Sequence, residues 1–217
     1  MYRAVIFAWN SGVGKDALAL WLSQQDPNFI VSKARITTRE PRKNESDITF
    51  VDATTFDARE KAGRIIGAYE GIGGHRYGID TDILRAELQN KHPILPFWGD
   101  TLEIQQKYLM DLAWFCRENW FPLPLYFLLS RSDLETQEAD ILARWLPKPE
   151  THSRLNRMNN KNAQITRWPI IRLYEWLYWV DNIPGKMDIS VEHLLWLFNN
   201  AHKSMGNRFF KERHERP

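Results

Sequence analysis

Short apolar runs alternate with amphipathic segments along most of the 217-residue chain. The first run, residues 2–8 (YRAVIFA), contains β-branched side chains and predicts a buried strand. Residues 16–24 follow, with Leu18 and Leu22 at the four-residue spacing of one helix face, and predict a helix. By the same criteria we predict further strands over residues 30–36, 48–51, 65–70, 93–98 and 123–129, and further helices over 54–62, 81–89, 102–118, 133–145, 169–179 and 190–201.

This order of elements predicts an α/β fold with a mostly parallel central sheet. The length suits one compact domain with a small inserted subdomain, and it suffices for a sizeable core. Turn-forming residues dominate GIGGHRYG (71–78), so we predict an irregular connection there. Residues 204–217 are basic and predict a frayed tail.

Composition changes this picture little, but it excludes several classes of protein. The net charge of +2 is too small to indicate nucleic-acid binding by itself. The single cysteine, Cys116, excludes an internal disulfide framework and suits a reducing cytoplasm, and we expect its thiol to be buried and unreactive. The start MYRAVIF lacks a signal-peptide cleavage pattern, and the longest apolar run (121–129) is shorter than the roughly 20 residues that span a bilayer. We therefore expect a cytoplasmic protein without a membrane segment.

Ten tryptophans are an unusual number for this length, and most of them are predicted to lie in the core or at an interface. For Trp168, Tyr178 and Trp179 two interpretations stay open, namely ordinary packing or a surface for a homodimer or a ligand. The six histidines show no metal-ligand spacing, so we predict no structural metal.

The first candidate for chemistry is SGVGK, residues 11–15, between the first predicted strand and helix. Consecutive backbone N–H groups in such a turn, at a helix N-terminus, form a cradle for phosphate. Gly12 and Gly14 permit close approach of the backbone, and Lys15 can reach the β- and γ-phosphates of a nucleotide. The predicted nucleotide-binding residues are Ser11, Gly12, Val13, Gly14, Lys15, Asp16 and Ala17.

Two positions of this loop depart from the usual pattern. Trp9 stands where a glycine is usual, and Asp16 stands where Ser or Thr normally holds Mg²⁺. A carboxylate oxygen is a suitable hard ligand for Mg²⁺, so Asp16 is the predicted metal ligand. Its negative charge also repels phosphates unless the metal or Lys15 compensates for it.

A second group of candidates lies in ARITTREPR (34–42), where Arg35, Arg39 and Arg42 share one segment. Guanidinium groups match the geometry of phosphate oxygens. Further on, Tyr77 precedes a glycine in HRYGID and offers a phenolic hydroxyl. For each segment alone a solvated loop is an equal interpretation.

Together, SGVGK, TTREPR and YG resemble, in this order, the motifs G-P-S-G-x-G-K-S/T, T-T-R-x-P-R and Y-G of the guanylate kinase family. The resemblance implies a P-loop NTPase three-layer fold with a small acceptor-binding subdomain (34–80) and an arginine-bearing lid (144–165) within one kinase domain, residues 1–203. It further implies that Lys15 binds the donor ATP with Mg²⁺, and that Arg39, Arg42 and Tyr77 bind the phosphate of the acceptor.

The resemblance extends to later segments of the chain. The lid arginines of the family correspond to Arg144 and Arg154, with Arg157 one helical turn beyond, and cations that close over a transferring phosphoryl group stabilise its charge. An exposed basic helix is the alternative for these arginines. The segment WVDN is similar to the family's segment near the donor adenine, which implies that Asn182 contacts the adenine.

The residues that read guanine in the family are largely absent. The two positions fall in Ile48-Thr49-Phe50 and Ile66-Gly67-Ala68, although Glu70 lies near enough in sequence to substitute. Arg35 stands where the family has a serine before T-T-R, and we include it among the acceptor-binding candidates. Asp100 either orients Mg²⁺ or the acceptor, or caps the helix that follows.

Because of these departures, several classes of phosphoryl acceptor are compatible with the sequence. The leading hypothesis is a nucleoside or deoxynucleoside monophosphate. A ribose 1,5-bisphosphate kinase is the alternative, because those relatives have G-K-D after the loop and lack the guanine readers. A nucleotide within nucleic acid is a further alternative, given the tail cations Arg208, Lys211, Arg213 and Arg216, and so is a non-catalytic binding module.

Overall fold

The structure, a computed structural model, describes residues 2–8, 13–41, 47–97, 102–130, 177–181 and 186–214. Within these residues the backbone forms nine strands, five α-helices and one short 3-10 helix (Ile72–Gly74). The strands are β1 (Val5–Ala8), β2 (Phe29–Val31), β3 (Arg35–Thr37), β4 (Thr49–Phe50), β5 (Ile65–Glu70), β6 (Arg76–Asp80), β7 (His92–Pro96), β8 (Leu125–Ser130) and β9 (Leu177–Asp181). The helices are α1 (Lys15–Gln25), α2 (Ala53–Lys61), α3 (Thr81–Leu88), α4 (Leu102–Glu118) and α5 (Met187–His214).

Five strands form a wholly parallel sheet in the order β2-β7-β1-β8-β9. β1 lies in the centre, where Val5 is opposite Ile94 of β7 and Leu125 of β8. The chain leaves β1 towards β2 and leaves β8 towards β9, on opposite sides, so the sheet has a topological switch point between β1 and β8. Ligands of open parallel sheets bind at the carboxyl ends of the strands beside such a point. The end of β1 is therefore the expected position of a site.

Both faces of this sheet are covered by helices. Because alternate residues of each strand point to opposite faces, each strand contributes side chains to two separate cores. Val5 and Phe7 belong to a core shared with α1 and α5, whereas Ala4 and Ile6 belong to a second core shared with α3 and α4. The helical members of the two cores are Leu18, Ala19, Leu22, Val191, Leu194, Phe198 and Ala201 in the first, and Leu84, Leu88, Tyr108, Leu109, Leu112, Phe115 and Cys116 in the second. The predicted three-layer α/β fold is confirmed.

Cys116 is buried in the second core, as expected. Burial raises the pKa of its thiol to about 12, so the thiol is protonated at neutral pH. This excludes a nucleophilic thiolate at this position.

The other four strands form a second sheet in the order β4-β3-β6-β5. β3 pairs parallel with β4, whereas β6 runs antiparallel to both β3 and β5. One face packs on α2 through a small apolar core of Ile36, Phe56 and Ile65. On the opposite face, Tyr69 and Ile79 join the second core of the main sheet. The second sheet therefore turns one face towards the main sheet and the other towards α2.

The predicted strand over residues 30–36 is in fact two strands, β2 and β3, in different sheets. Glu87 of α3 lies at the crossing, where its carboxylate accepts hydrogen bonds from Ser32 Oγ (2.6 Å) and from the backbone N–H of Lys33 (2.8 Å). Ser32 Oγ in turn accepts the N–H of Ala34 (3.1 Å). These side-chain bonds replace strand pairing and let the chain pass from one sheet to the other.

Three other predictions are wrong in part. β6 begins inside the segment predicted to be irregular, because β3 and β5 offer backbone partners on both of its edges. Leu177–Trp179, predicted as the end of a helix, lies in β9, where pairing with β8 extends the main sheet. The predicted frayed tail continues α5 as far as His214, since no proline interrupts that segment. The predicted helix over 133–145 lies outside the described residues.

Gly67 joins the second sheet to α4. Its N–H donates to Asp111 Oδ2 (3.1 Å), and Lys107 Nζ donates to the neighbouring carbonyl of Ala68 (3.0 Å). The β5–β6 pairing shifts register between Ile66 and Tyr69, and Gly67 there adopts a φ of 60°. A Cβ at this position would lie 2.8 Å from Tyr108 Cδ2. Glycine is therefore required both by the backbone and by the close approach of α4.

We predict that Gly67→Ala destabilises the protein by about 2–4 kcal/mol, since it combines left-handed backbone strain with overpacking against Tyr108. Gly63→Ala is the matched control, because Gly63 has a similar φ of 69°, and a Cβ added there would have no described atom within 4 Å. It should cost about 1 kcal/mol from the backbone alone. Urea denaturation of both variants measures the difference, and equal losses would contradict the steric role of Tyr108.

Candidate functional site

The glycine-rich loop ends in a conformation that only glycine adopts readily. Gly14 is the N-cap of α1 with φ 81° and ψ 24°, and its carbonyl accepts the N–H of Leu18 (2.9 Å). Lys15 follows as the first helical residue and is 9% exposed. The positive end of the α1 dipole and a lysine residue therefore occur at the same point of the fold, where the chain enters α1 after β1. This arrangement favours an anion.

The side chain of Val13 ties the end of the loop to the protein core. Its side chain is buried in the core shared with α1 and α5, so it anchors the loop and leaves the backbone for binding. Asp16 and Ala17 are exposed at the start of α1. Ser11, Gly12 and the unusual Trp9 lie outside the described residues.

Asp16 is not isolated in the first turn of α1. Its side chain is 70% exposed, and its Oδ1 lies 3.7 Å from Nη1 of Arg35. Arg35 belongs to β3, so this ion pair connects the second sheet to the beginning of α1. Sequence reasoning named both residues but gave no sign that they meet, because 19 positions separate them in the chain.

The Arg35 side chain is only 17% exposed and is fixed from several directions. Nη1 donates to the carbonyl of Pro96 at the end of β7 (3.2 Å), and Nη2 contacts the carboxylate of Asp47. Nε is buried and has no hydrogen-bond partner among the described residues. Arg35 therefore braces the second sheet against the carboxyl end of the main sheet.

A run of aromatic rings continues along the face that the second sheet turns towards the main sheet. Tyr77 stacks on Tyr69 with 5.3 Å between ring centroids, and Tyr69 meets the edge of Phe97 at 6.0 Å. Phe97 then stacks on the buried ring of Tyr108 at 3.7 Å. Of these four residues only Tyr77 was a candidate site residue from the sequence, because the other three become its neighbours only when β5, β7 and α4 are assembled.

The two threonines of TTREPR hold β3 and β6 together. Thr37 Oγ1 donates to the carbonyl of Arg76 (2.9 Å), and Thr38 Oγ1 accepts the Arg76 N–H (2.9 Å). The N–H of Arg39 donates to Thr37 Oγ1 (3.2 Å), which fixes the backbone from which the Arg39 side chain extends. The Arg39 guanidinium lies over the Phe50 ring, 5.5 Å from its centroid, and donates to the Glu40 carbonyl (2.8 Å).

A solved structure of another protein shares the fold of this chain. The chain superimposes on guanylate kinase from Anaplasma phagocytophilum with a TM-score of 0.57 and 16% identity, over 92% of this chain and 85% of that chain. A gluconokinase from Sinorhizobium meliloti 1021 gives a TM-score of 0.48 at 11% identity, over 95% of this chain and 97% of the other. The chain has a P-loop kinase fold. No protein-family model and no curated protein matches the sequence.

Within this P-loop kinase fold, Glu70 does not lie where a base-reading carboxylate was expected. It is exposed and opposite Arg76 in the β5–β6 ladder, whereas Tyr69 and Tyr77 form the adjacent pair. Because successive strand residues point to opposite faces, Glu70 shares the α2 face with Arg76, away from the aromatic run. Its placement does not support the substitute role that the sequence suggested.

Arg76 is also committed to the α2 face. Its guanidinium contacts the carboxylates of Asp57 and Glu60 and lies over the Phe56 ring, 4.4 Å from the centroid. Nearby, Arg59 Nη1 lies 2.5 Å from Asp80 Oδ2. These arginines therefore hold α2 on the second sheet.

Several predicted residues lie outside the described part of the chain: Arg42, Asp100, Arg144, Arg154, Arg157 and Asn182. Among the described residues, no group of three or more His, Cys, Asp or Glu side chains is placed to hold a metal. No described helix has both the length and the apolarity that a membrane crossing needs.

We predict that Arg76→Ala lowers the free energy of unfolding by about 1–2 kcal/mol, because it removes a cation–π contact and two partly exposed ion pairs. The control is Arg64→Ala, which removes only the exposed contact with Asp82 and should cost about 0.5 kcal/mol or less. Thermal melting of both variants provides the comparison. A larger loss for Arg64→Ala would contradict the assignment of Arg76 to the packing of α2.

Proposed function

We propose that this protein is an ATP-dependent kinase that transfers the γ-phosphoryl group to the phosphate of a nucleoside or deoxynucleoside monophosphate. One observation carries the proposal: the Asp16–Arg35 contact brings β3, the strand that leads into TTREPR, beside the first turn of α1, which contains Lys15. The end of the glycine-rich loop and the strand that precedes the arginine-bearing segment are thus neighbours in space. Phosphoryl transfer needs such a juxtaposition of two anion sites.

The donor half of the proposal concerns ATP. The backbone of Ser11, Gly12, Val13, Gly14, Lys15, Asp16 and Ala17 would surround its phosphates, and Asn182 would contact the adenine. The left-handed Gly14 and the buried Lys15 at the helix start fit this group. The exposed carboxylate of Asp16 is a hard oxygen donor and fits Mg²⁺, which when bound would neutralise charge between the β- and γ-phosphates.

The acceptor half is the phosphate site of Arg39, Arg42 and Tyr77. A monophosphate with a planar base suits this site better than a sugar bisphosphate, for two reasons. The aromatic run that begins at Tyr77 and Tyr69 offers apolar surface to a base. A second phosphate would need a further cation, and Arg35 already faces two carboxylates.

The chemistry requires no general base, because the acceptor oxygen is already ionised. That oxygen attacks the γ-phosphorus, the bond from the γ-phosphorus to the bridging oxygen of ADP breaks, and ADP leaves. Lys15 stabilises charge on the transferring group. We assign Arg144, Arg154 and Arg157 to a lid that closes over it and excludes water, with Asp100 orienting the acceptor or the metal.

The proposal is tested by ADP release, measured over all nucleoside and deoxynucleoside monophosphates and ribose 1,5-bisphosphate. We expect one or a few monophosphates to be turned over, with Mg²⁺ required. Turnover of ribose 1,5-bisphosphate alone, or of an oligonucleotide alone, would replace the acceptor. If neither ATP nor ADP at millimolar concentration raises the melting temperature, the kinase proposal fails and a non-catalytic binding module becomes the leading alternative.

Lys15→Met should lower kcat by about 10²–10³-fold, the loss typical of removing one transition-state donor. Lys61→Met, at the exposed end of α2, is the matched control and should retain full activity. Steady-state kinetics on the best acceptor from the panel gives both values. Unchanged kcat in Lys15→Met would show that the loop does not act on the transferred phosphate.

A further inference from the structure

Two departures from the guanylate kinase pattern meet in this structure. Asp16 stands where the phosphate loop normally has a hydroxyl, and Arg35 stands where a serine normally precedes T-T-R. Asp16 Oδ1 and Arg35 Nη1 lie 3.7 Å apart, within the distance of an ion pair. A carboxylate and a guanidinium therefore stand at two positions where the pattern has a hydroxyl, and in this chain the two side chains meet.

A carboxylate next to Lys15 presents an electrostatic problem for a phosphate site. Asp16 lies in the first turn of α1, next to Lys15 in sequence, and its carboxylate repels the anion that the helix start and the lysine attract. Arg35, on β3 of the second sheet, offsets this repulsion. A serine at position 35 has no charge and cannot do so.

The Arg35 guanidinium can act in this way because it does not depend on Asp16 for its own position. Asp47 contacts Nη2, and the Pro96 carbonyl accepts from Nη1 at 3.2 Å. Both anchors lie outside α1, one before β4 and one at the end of β7. The cation is therefore held in place whether or not the Asp16 side chain moves away to another partner.

We propose that Arg35 is a positioning residue for Asp16. It neutralises and orients the carboxylate at the mouth of the phosphate loop, so that nucleotide phosphates can bind beside it. This inference rests on the proposed nucleotide-binding function of the loop. It assigns to Arg35 an action through Asp16, in place of the direct contact with the acceptor that the sequence suggested.

A double-mutant cycle of Asp16→Asn and Arg35→Gln in the full chain tests the assignment. The probe is ATP, and calorimetry measures its affinity with EDTA and with Mg²⁺. Arg35→Gln should weaken metal-free ATP binding about tenfold, because Asp16 is left uncompensated. Mg²⁺ should recover much of that loss by taking over the carboxylate. In the double variant, metal-free affinity should return to within about twofold of wild type.

Two controls separate this action from a structural one. Asp47→Asn removes an anchor of Arg35 without changing Asp16, so it should lower the melting temperature but alter the Mg²⁺ dependence of ATP affinity less than Arg35→Gln does. Arg35→Lys keeps the charge, and it should retain metal-free ATP affinity to within about threefold even where Arg35→Gln does not fold.

The inference is overturned if Arg35→Gln lowers metal-free ATP affinity equally in the wild-type and the Asp16→Asn background. It is also overturned if the Arg35→Lys variant binds metal-free ATP tenfold more weakly than wild type. Wild-type binding of ATP with Mg²⁺ is measured in the same series. Its failure would reject the kinase proposal, whereas additive variants with normal wild-type binding would reject only the role of Arg35.

Discussion

The burial of β1 on both faces is the constraint on which the rest of the structure depends. The strand lies in the middle of the parallel sheet, and alternate side chains enter two separate cores. Its carboxyl end therefore has little freedom. Because Val13 is buried in one of those cores, the chain is anchored again directly before it enters α1. The helix start that carries Lys15 acquires its position from packing, before any ligand contributes.

The second sheet is attached to this fixed point by contacts of different kinds. Arg35 joins β3 to the end of β7 through the Pro96 carbonyl, and the Gly67 N–H joins β5 to Asp111 of α4. The aromatic run fills the space between these two attachments. Polar contacts thus set the orientation of the second sheet, and apolar contacts exclude water from the seam. The result is that β3, which leads into TTREPR, lies beside the first turn of α1.

Much of the fold could be predicted from local patterns, because strand–helix alternation and the glycine turn at Gly14 act over short distances. β5 and α4 have the bounds that their apolar patterns predict. β6 could not be predicted, since it forms a strand only by pairing its backbone with β3 on one side and β5 on the other. In the candidate site, motifs located Lys15 and the threonine–arginine segment. The Asp16–Arg35 contact and the partners of Tyr77 depend on assembly, so no linear spacing indicates them. For Glu70, nearness in sequence suggested a role in reading a base, but the residue lies on the α2 face of the second sheet.

The attachment of α2 has a consequence for how this part of the molecule opens. Of its nine residues, all described, the helix buries one side chain, Phe56, and charged contacts with β6 provide most of its remaining hold. Screening by salt weakens such contacts far more than it weakens an apolar core. The protein should therefore consist of two regions of unequal local stability, in which amide hydrogens of α2 exchange with solvent long before those of β1. In such a molecule α2 can loosen from the second sheet while the main sheet stays intact.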